Sequence, residues 1–209
     1  MIVNTSRLVI AVSSRDHVQG STSAIVTLVE YGDYQCPACA AAHPFIKRLQ
    51  QQYARDLRFV YRNFPLTQIH PFAMPAAEIA EATAAFDRFW LTNDWLYENQ
   101  DSWSPVGVPG IMVGVRRLGI DDVALQKALR DEKIVQRIRN DFKGGVRSGV
   151  NGTPSLFVNG LLHQGGLLQL NAGIDDAIAS ARELAREKKT DSDELPPSES
   201  PLLSSFFSG

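Results

Sequence analysis

The segment Thr27–Cys39 reads TLVEYGDYQCPAC, and it sets the fold class. Its first half completes a run rich in Val, Ile, Thr and Leu over residues 23–31, which predicts a buried strand. From Pro37 to residue 53, apolar and small side chains recur at helical spacing, and a proline suits the first turn of a helix. Residues 56–63 alternate as a half-buried strand does. The pattern predicts strand, helix, strand, which is a parallel pair joined by a right-handed crossover.

The rest of the chain separates into a helical block and a second strand-rich segment. Residues 70–148 have the helical period throughout, and predicted helices cover 74–86, 89–99, 111–118, 122–129 and 132–147. Pro154–Asn159 has strand character, Asn159-Gly160 is a hairpin signal, and a returning strand covers 161–164. An amphipathic helix over 168–188 follows. The apolar run at 8–12 is interpreted as a short strand or a lead-in segment. The prediction is an α/β fold, a mixed sheet with flanking helices and an inserted all-helical domain.

The predicted domain organisation has four parts. They are the N-terminal βαβ part at 1–69, the helical insertion at 70–148, the C-terminal ββα part at 149–186, and a flexible acidic, Ser- and Pro-rich tail at 187–209. The tail composition cannot bury enough surface to offset the entropy of ordering. Its Leu and Phe pairs leave docking on a partner or a neighbouring subunit as an alternative.

The composition of the chain limits the classes of function that it can have. Its 209 residues are 44% hydrophobic and 21% charged, with a formal net charge of −2, as in ordinary globular proteins. No strong positive field recruits nucleic acid, and no run of 18 apolar residues predicts a membrane span. The apolar run at 8–12 is shorter than the core of a signal peptide. The expected location is therefore cytoplasmic, without nucleic-acid or membrane partners.

The two cysteines, Cys36 and Cys39, form a C-x-x-C motif at the junction between the first predicted strand and the helix that follows it. A loop this small restrains the unfolded chain little, so a chemical role is favoured over scaffolding. The thiolate is the nucleophile, and unpaired N–H groups at a helix start lower a thiol pKa. We predict an exposed Cys36 that attacks and a Cys39, one turn deeper, that resolves. Half of a zinc site, two buried structural thiols and a degenerate site are the alternatives.

A proline far along the chain is the second feature of interest. Thr153-Pro154 precedes the strand at 156–158. A cis bond there would leave backbone groups of Thr153 free to pair with an extended substrate. From the residues alone, a turn proline is the simpler interpretation, because cis X–Pro bonds are a minority of about 5–6%.

Three motifs in order carry a family resemblance: Thr27–Cys39, Phe59–Pro65 (FVYRNFP) and Ser148–Gly160 (SGVNGTPSLFVNG). Together they resemble the DsbA-like branch of the thioredoxin superfamily, in particular its bacterial cytosolic members, over residues 7–183. The resemblance implies a thioredoxin-like fold with a helical insertion, and a cis-proline loop facing the cysteines. It implies substrate binding by residues around that loop and between the cysteines: Thr153, Pro154, Pro37 and Ala38.

The same resemblance gives Glu30 a role and marks one departure. The matching acid of the family lies beneath the active site, so Glu30 is expected to relay a proton to or from Cys39. The alternative is a strand-end acid that reaches solvent. The strongly oxidising members of the family carry a His where this chain has Ala38. We therefore expect a less stabilised Cys36 thiolate and a less oxidising disulfide.

The predicted function is protein disulfide oxidoreductase activity on protein or peptide thiols, through a mixed disulfide on Cys36 that Cys39 resolves. This chemistry requires no metal or organic cofactor. The expected redox partner is a thioredoxin- or glutathione-type system. The alternatives are a non-catalytic peptide-binding, chaperone-like module of the same fold and a glutathione-linked thiol reductase.

Overall fold

A computed structural model describes residues 6–193, and the side chains of residues 6–187. In chain order, these residues form β1 (His17–Gly20), β2 (Val26–Gly32), α1 (Pro37–Gln52), β3 (Leu57–Asn63), α2 (Ala73–Thr83), a 3₁₀ turn (Ala84–Phe86), α3 (Phe89–Glu98), α4 (Gln100–Trp103), α5 (Val108–Arg117), α6 (Asp122–Ala128), α7 (Glu132–Arg147), β4 (Ser155–Val158), β5 (Leu161–Leu162) and α8 (Leu167–Asp193). The fold is the predicted α/β class, a thioredoxin-like mixed sheet with flanking helices.

The sheet has the strand order β1-β3-β2-β4-β5, with β2 at its centre. As predicted, β2 and β3 are parallel, joined by α1, and every other pairing is antiparallel. Because successive side chains of a strand point to opposite faces of the sheet, β2 contributes residues to two apolar clusters. Val26 and Leu28 pack in the larger one, with α1 and most of the helices, while Val29 and Tyr31 pack in the smaller one on the other face. Glu30 therefore shares its face with α1.

The helices α2–α7 all lie between β3 and β4 within the described residues, where the sequence predicted a helical block. Asp121 and Asp131 cap α6 and α7 by accepting backbone N–H bonds, which fixes where these helices begin. The one-turn helix α4 was missed, because four residues are too few for a periodic signal. Through Gln100, this short helix contacts the loop that enters α1.

Of the two interpretations of residues 8–12, the structure has the lead-in segment and not the short strand. The structure has no strand there; Arg7 makes a single bridge to Leu161, and the first strand is β1 at His17–Gly20. The buried guanidinium of Arg62 explains the path of this segment, since it donates to the carbonyl oxygens of Ile10 and Ala11. Side chains of the segment cover the smaller apolar cluster instead of extending the sheet.

The last helix is longer than expected. α8 continues through the beginning of the predicted tail to Asp193, because residues 187–190 contain good helix formers and the first proline comes at position 196. The rest of the predicted tail, residues 194–209, lies outside the described residues.

Among residues 6–193, no helix combines the length and the apolar character that crossing a bilayer requires.

Candidate active site

The site is built where β2 ends and α1 begins. Pro37 occupies the first turn of α1, and Cys36 is its N-cap residue with extended backbone angles. A helix start leaves unpaired N–H groups, and no acidic residue lies in the first turn to offset their positive potential. The N–H groups of Ala38 and Cys39 act on the Cys36 sulfur. This local geometry supports an anionic sulfur.

The pKa values of the two cysteine thiols are shifted in opposite directions. A hydrogen bond with the Cys39 thiol, and further ones with Thr153 and the first-turn N–H groups, lower the pKa of Cys36 to about 5, although burial acts in the other direction. Burial raises the pKa of the Cys39 thiol well above its ordinary value, and the hydrogen bond with Cys36 adds to the shift. One sulfur is thus an anion at neutral pH, and its neighbour keeps its proton.

Cys36 was expected to be exposed, and that expectation was wrong. Only 7% of the residue is accessible, and Cys39 is fully buried. In the dithiol state, the Cys36 thiol donates to the carbonyl oxygen of Thr153 at 3.3 Å, so the proline loop covers the sulfur.

Thr153 and Pro154 meet the cysteines across the sheet. Their peptide bond is cis, and β4 then pairs with β2 from Ser155 onward. An open hollow of about 370 Å³ lies beside the loop, lined among others by Pro154, His163 and Gly166. In the dithiol state, no described group forms a hydrogen bond with the buried Thr153 hydroxyl. A thiolate cannot donate to a carbonyl, and the Thr153 side chain is the group whose hydrogen bond lowers the pKa of Cys36 when the sulfur is ionised.

Glu30 lies in the interior and does not reach solvent. It is 1% exposed, and no described group forms a hydrogen bond with its Oε1 atom. Burial, and secondly the negative charge of Cys36, raise the pKa of Glu30 to about 8. The charge of Glu30 also contributes to the raised pKa of Cys39. A buried acid that is protonated at neutral pH and acts on both cysteines is suited to exchange a proton with one of them.

A pair of tyrosines packs over the strand next to Glu30. The hydroxyls of Tyr61 and Tyr97 are 2.9 Å apart. They occupy the space left by the missing side chain of Gly32, where an added Cβ would lie 2.6 Å from a Tyr61 ring carbon and 2.8 Å from the Tyr97 hydroxyl oxygen. Tyr61 is also the β3 partner of Glu30 in the parallel register. Sequence patterns gave no sign of this pair, because Tyr97 comes from the helical insertion.

The sequence also missed the polar side chains that hold the loop before Cys36. One Asp33 carboxylate oxygen accepts from the backbone of Gln35, and the other accepts from Leu66 and lies 2.7 Å from His70 Nδ1. Gln100 donates to two carbonyl groups of the same loop. Polar residues at a strand-to-helix loop are a weak signal by themselves, because their partners are 33 to 66 residues away.

The structure does not support the zinc alternative. In the described part of the chain, no three His, Cys, Asp or Glu side chains are grouped so that they could hold a metal ion. Cys36 and Cys39 are both free thiols.

Comparison with known proteins places this site in a family. The thioredoxin family model matches residues 13–176, so the chain belongs to the thioredoxin family. Wolbachia pipientis alpha-DsbA1 has the same fold, with a TM-score of 0.75 at 19% identity over 87% of this chain and 100% of that one. A thioredoxin-like oxidoreductase from Silicibacter pomeroyi aligns with a TM-score of 0.69 at 26% identity, covering 82% and 94% of the two chains. The fold is that of the DsbA-like structures.

The curated relatives carry a different name. The chain is 40% identical over 170 residues to Na(+)/H(+) antiporter NhaA 3 of Salinispora tropica, covering 80% of this chain and 26% of that protein. The match to NhaA 1 of Salinispora arenicola is 38% over 177 residues, covering 84% and 26%. The chain thus spans about a quarter of the length of these relatives.

Proposed function

We propose that the protein exchanges disulfides with protein or peptide thiols, with Cys36 as the nucleophile and Cys39 as the resolving thiol. The observation that carries this proposal is the opposite acidity of two neighbouring thiols at a helix start. A thiolate attacks a disulfide, whereas a thiol hardly does. A low pKa at Cys36 together with a raised pKa at Cys39 separates the two roles without a cofactor.

In the reducing direction, the protein begins with both cysteines reduced. The Cys36 thiolate attacks one sulfur of the substrate disulfide, a mixed disulfide forms, and the other substrate sulfur leaves as a thiolate. This step removes the negative charge of Cys36, which is one cause of the raised pKa of Glu30, so Glu30 can ionise and is the proposed acceptor of the proton that Cys39 gives up. The Cys39 thiolate attacks Cys36, the second substrate sulfur leaves, and the protein ends as a disulfide. The reverse sequence oxidises a substrate dithiol.

Several geometric features favour an extended peptide as the substrate. The cis-proline loop lies directly over the Cys36 sulfur, and the hollow beside Pro154 is open to solvent. In this proposal, backbone groups of Thr153 hold the peptide while Pro37 and Ala38 line the approach to the sulfur. A thioredoxin- or glutathione-type system is the proposed partner that resets the cysteine pair. The cytoplasmic location stays a prediction.

The test is reduction of insulin by dithiothreitol, measured as turbidity. We expect the wild type to accelerate precipitation, and Cys36→Ser to fall to the uncatalysed rate. Ala41→Ser, at an exposed position of the same helix, is the matched control and should keep the wild-type rate. Equal rates for wild type and Cys36→Ser would end the enzyme proposal. If both proteins then still suppress aggregation of an unfolded client, the peptide-binding module is supported instead.

A second candidate function follows from the names of the curated relatives. We infer that the domain works in, or next to, a membrane Na(+)/H(+) antiporter, because the matched antiporters contain a related segment in about a quarter of their length. The test is co-purification of detergent-solubilised antiporter from the same cells with tagged wild-type protein. The matched control is a tagged thioredoxin that lacks the helical insertion. Recovery by both baits alike, or by neither, would reject this candidate.

A further inference from the structure

Gln100 is a buried residue of the helical insertion, and it contacts the active-site loop directly. It begins α4 and is 6% exposed. Its Nε2 group donates to the carbonyl oxygen of Tyr34 at 2.7 Å and to the carbonyl oxygen of Cys36 at 3.0 Å. One side-chain amide thus joins two peptide groups on either side of Gln35.

The Cys36 carbonyl group has a special position in the helix. It also accepts the N–H groups of Cys39 and Ala40, at 3.1 and 3.2 Å, so it closes the first turn of α1. The orientation of this peptide fixes where the Cys36 side chain stands relative to the N–H groups of that turn. A third donor on the same oxygen restricts rotation of the peptide.

Other contacts from the insertion hold the rest of the loop. Asn93 Nδ2 donates to the Tyr34 hydroxyl at 3.1 Å. The side chain of Gln35 accepts from the backbone of Phe72 at 2.7 Å and donates to Ser104 Oγ at 3.1 Å. Residues of the insertion therefore hold the loop in place by hydrogen bonds. Among these residues, Gln100 is the one that binds the backbone of the nucleophile Cys36.

We propose that Gln100 is a positioning residue, which keeps the Cys36 sulfur over the first turn of α1 and so couples the helical insertion to the reactivity of the thiol. This inference rests on the proposed function. Without the amide, two buried carbonyl groups lose a donor and the Cys36 peptide is free to turn. The sulfur then moves relative to the N–H groups that stabilise its anion. The positive end of the Gln100 amide dipole is lost as well.

The titratable groups that act on Cys36 lie on other elements than α4. They are Cys39 on α1 and Glu30 on β2, while the Asp33 carboxylate binds Gln35, Leu66 and His70. A substitution at Gln100 leaves these groups in place. A change in the acidity of Cys36 in such a variant then reports on the position of the sulfur and on the lost amide.

The experiment measures alkylation of Cys36 by iodoacetamide against pH in Cys39→Ser protein. Gln100→Met keeps the volume without a donor, and Gln100→Asn keeps an amide that is one methylene too short. Leu125→Ala is the matched control, because it opens a cavity in the insertion at a buried position of α6, and no residue of α6 forms a described hydrogen bond with the loop. Relative to the Cys39→Ser parent, we expect the pKa of Cys36 to rise in both Gln100 variants, with alkylation at the midpoint pH of the parent slower by about fivefold, and no change in Leu125→Ala.

Two outcomes would overturn the proposal. One is an unchanged alkylation profile in Gln100→Met and Gln100→Asn, and Gln100→Asn alone decides if the Met variant does not fold. The other is an equal shift in Leu125→Ala, which would assign the effect to the stability of the insertion. Failure of disulfide exchange in the wild type is a separate result, because the acidity of Cys36 is measured without a substrate.

Discussion

The sulfur of Cys36 lies 3.3 Å from the carbonyl oxygen of Thr153, although 117 residues separate them in the chain. The contact joins the helix start, which makes the sulfur acidic, to the proline loop, which is the proposed peptide-binding edge. A substrate that pairs with the loop is thereby brought to the nucleophile. The same contact shields the thiol from solvent.

Replacing Thr153 by Val is expected to make Cys36 less acidic. The variant keeps the β-branched shape and the backbone groups but removes the side-chain donor, whose hydrogen bond lowers the pKa of Cys36. We expect the pKa of Cys36 to rise from about 5 by about one unit, and the disulfide to become less oxidising. The measurement is thiolate absorbance at 240 nm against pH. Thr153→Ser, which retains the hydroxyl, is the control, and an equal shift in both variants would contradict the role of the hydroxyl.

Replacing Cys39 by Ser is expected to trap the first half of the reaction. The Cys36 thiolate still attacks, but the mixed disulfide is not resolved because the second sulfur is missing. Adducts with client proteins should be visible on a non-reducing gel and disappear with reductant. The double variant Cys36→Ser, Cys39→Ser should show none. Absence of adducts while Cys36 remains alkylatable would argue against the assigned roles.

Replacing Glu30 by Gln is expected to stabilise the protein at alkaline pH. The folded-state pKa is about 8, whereas an unfolded Glu titrates near about 4.3. Between these values the unfolded chain has released the proton that the folded protein keeps, so the free energy of unfolding falls as pH rises. Glu30→Gln does not lose stability in this way, and its free energy of unfolding relative to wild type should rise by about 4 kcal/mol between pH 4 and pH 8.

Urea unfolding of the reduced proteins at both pH values tests this expectation, with Glu183→Gln on the exposed side of α8 as the control. The cysteine contributions are shared and largely cancel in the difference. The same variant should resolve mixed disulfides more slowly. A wild type and a Glu30→Gln protein with the same pH dependence of stability and the same resolution rate would refute the buried-acid account.

Replacing Gly32 by Ala is expected to disturb the tyrosine pair. The added Cβ would lie 2.6 Å from the Tyr61 ring and 2.8 Å from the Tyr97 hydroxyl. Overpacking of this kind lowers the free energy of unfolding by about 1–3 kcal/mol. Gly152→Ala is the matched control, since nothing lies within 4 Å of its added Cβ, and its effect should stay within about 0.5 kcal/mol. Equal stability of the two variants in urea would contradict this prediction, because it would mean that Tyr61 and Tyr97 can shift to make room for the added methyl group.

Long, periodic elements could be predicted from the sequence, while short ones could not. The boundaries of α7 agree with prediction because its apolar and charged residues repeat over sixteen positions. β1 has four residues, and α4 is a single helical turn, so neither leaves a pattern to detect. The apolar residues at 8–12 could be a short strand or a lead-in segment by their hydrophobicity, and only the contacts of the buried Arg62 with the carbonyl oxygens of Ile10 and Ala11 show that they are a lead-in segment.

By itself, the sequence determined the order of the main elements and the place of the two thiols at a helix start, because periodicity, a first-turn proline and the spacing of two cysteines are local properties. Only the tertiary structure decided that Cys36 is covered, that Glu30 has no polar partner on Oε1, and that Gln100 and Thr153 hold the same nucleophile. Those contacts join residues 64 and 117 positions apart, and which distant groups meet is set by the packing of the insertion and the proline loop against the sheet.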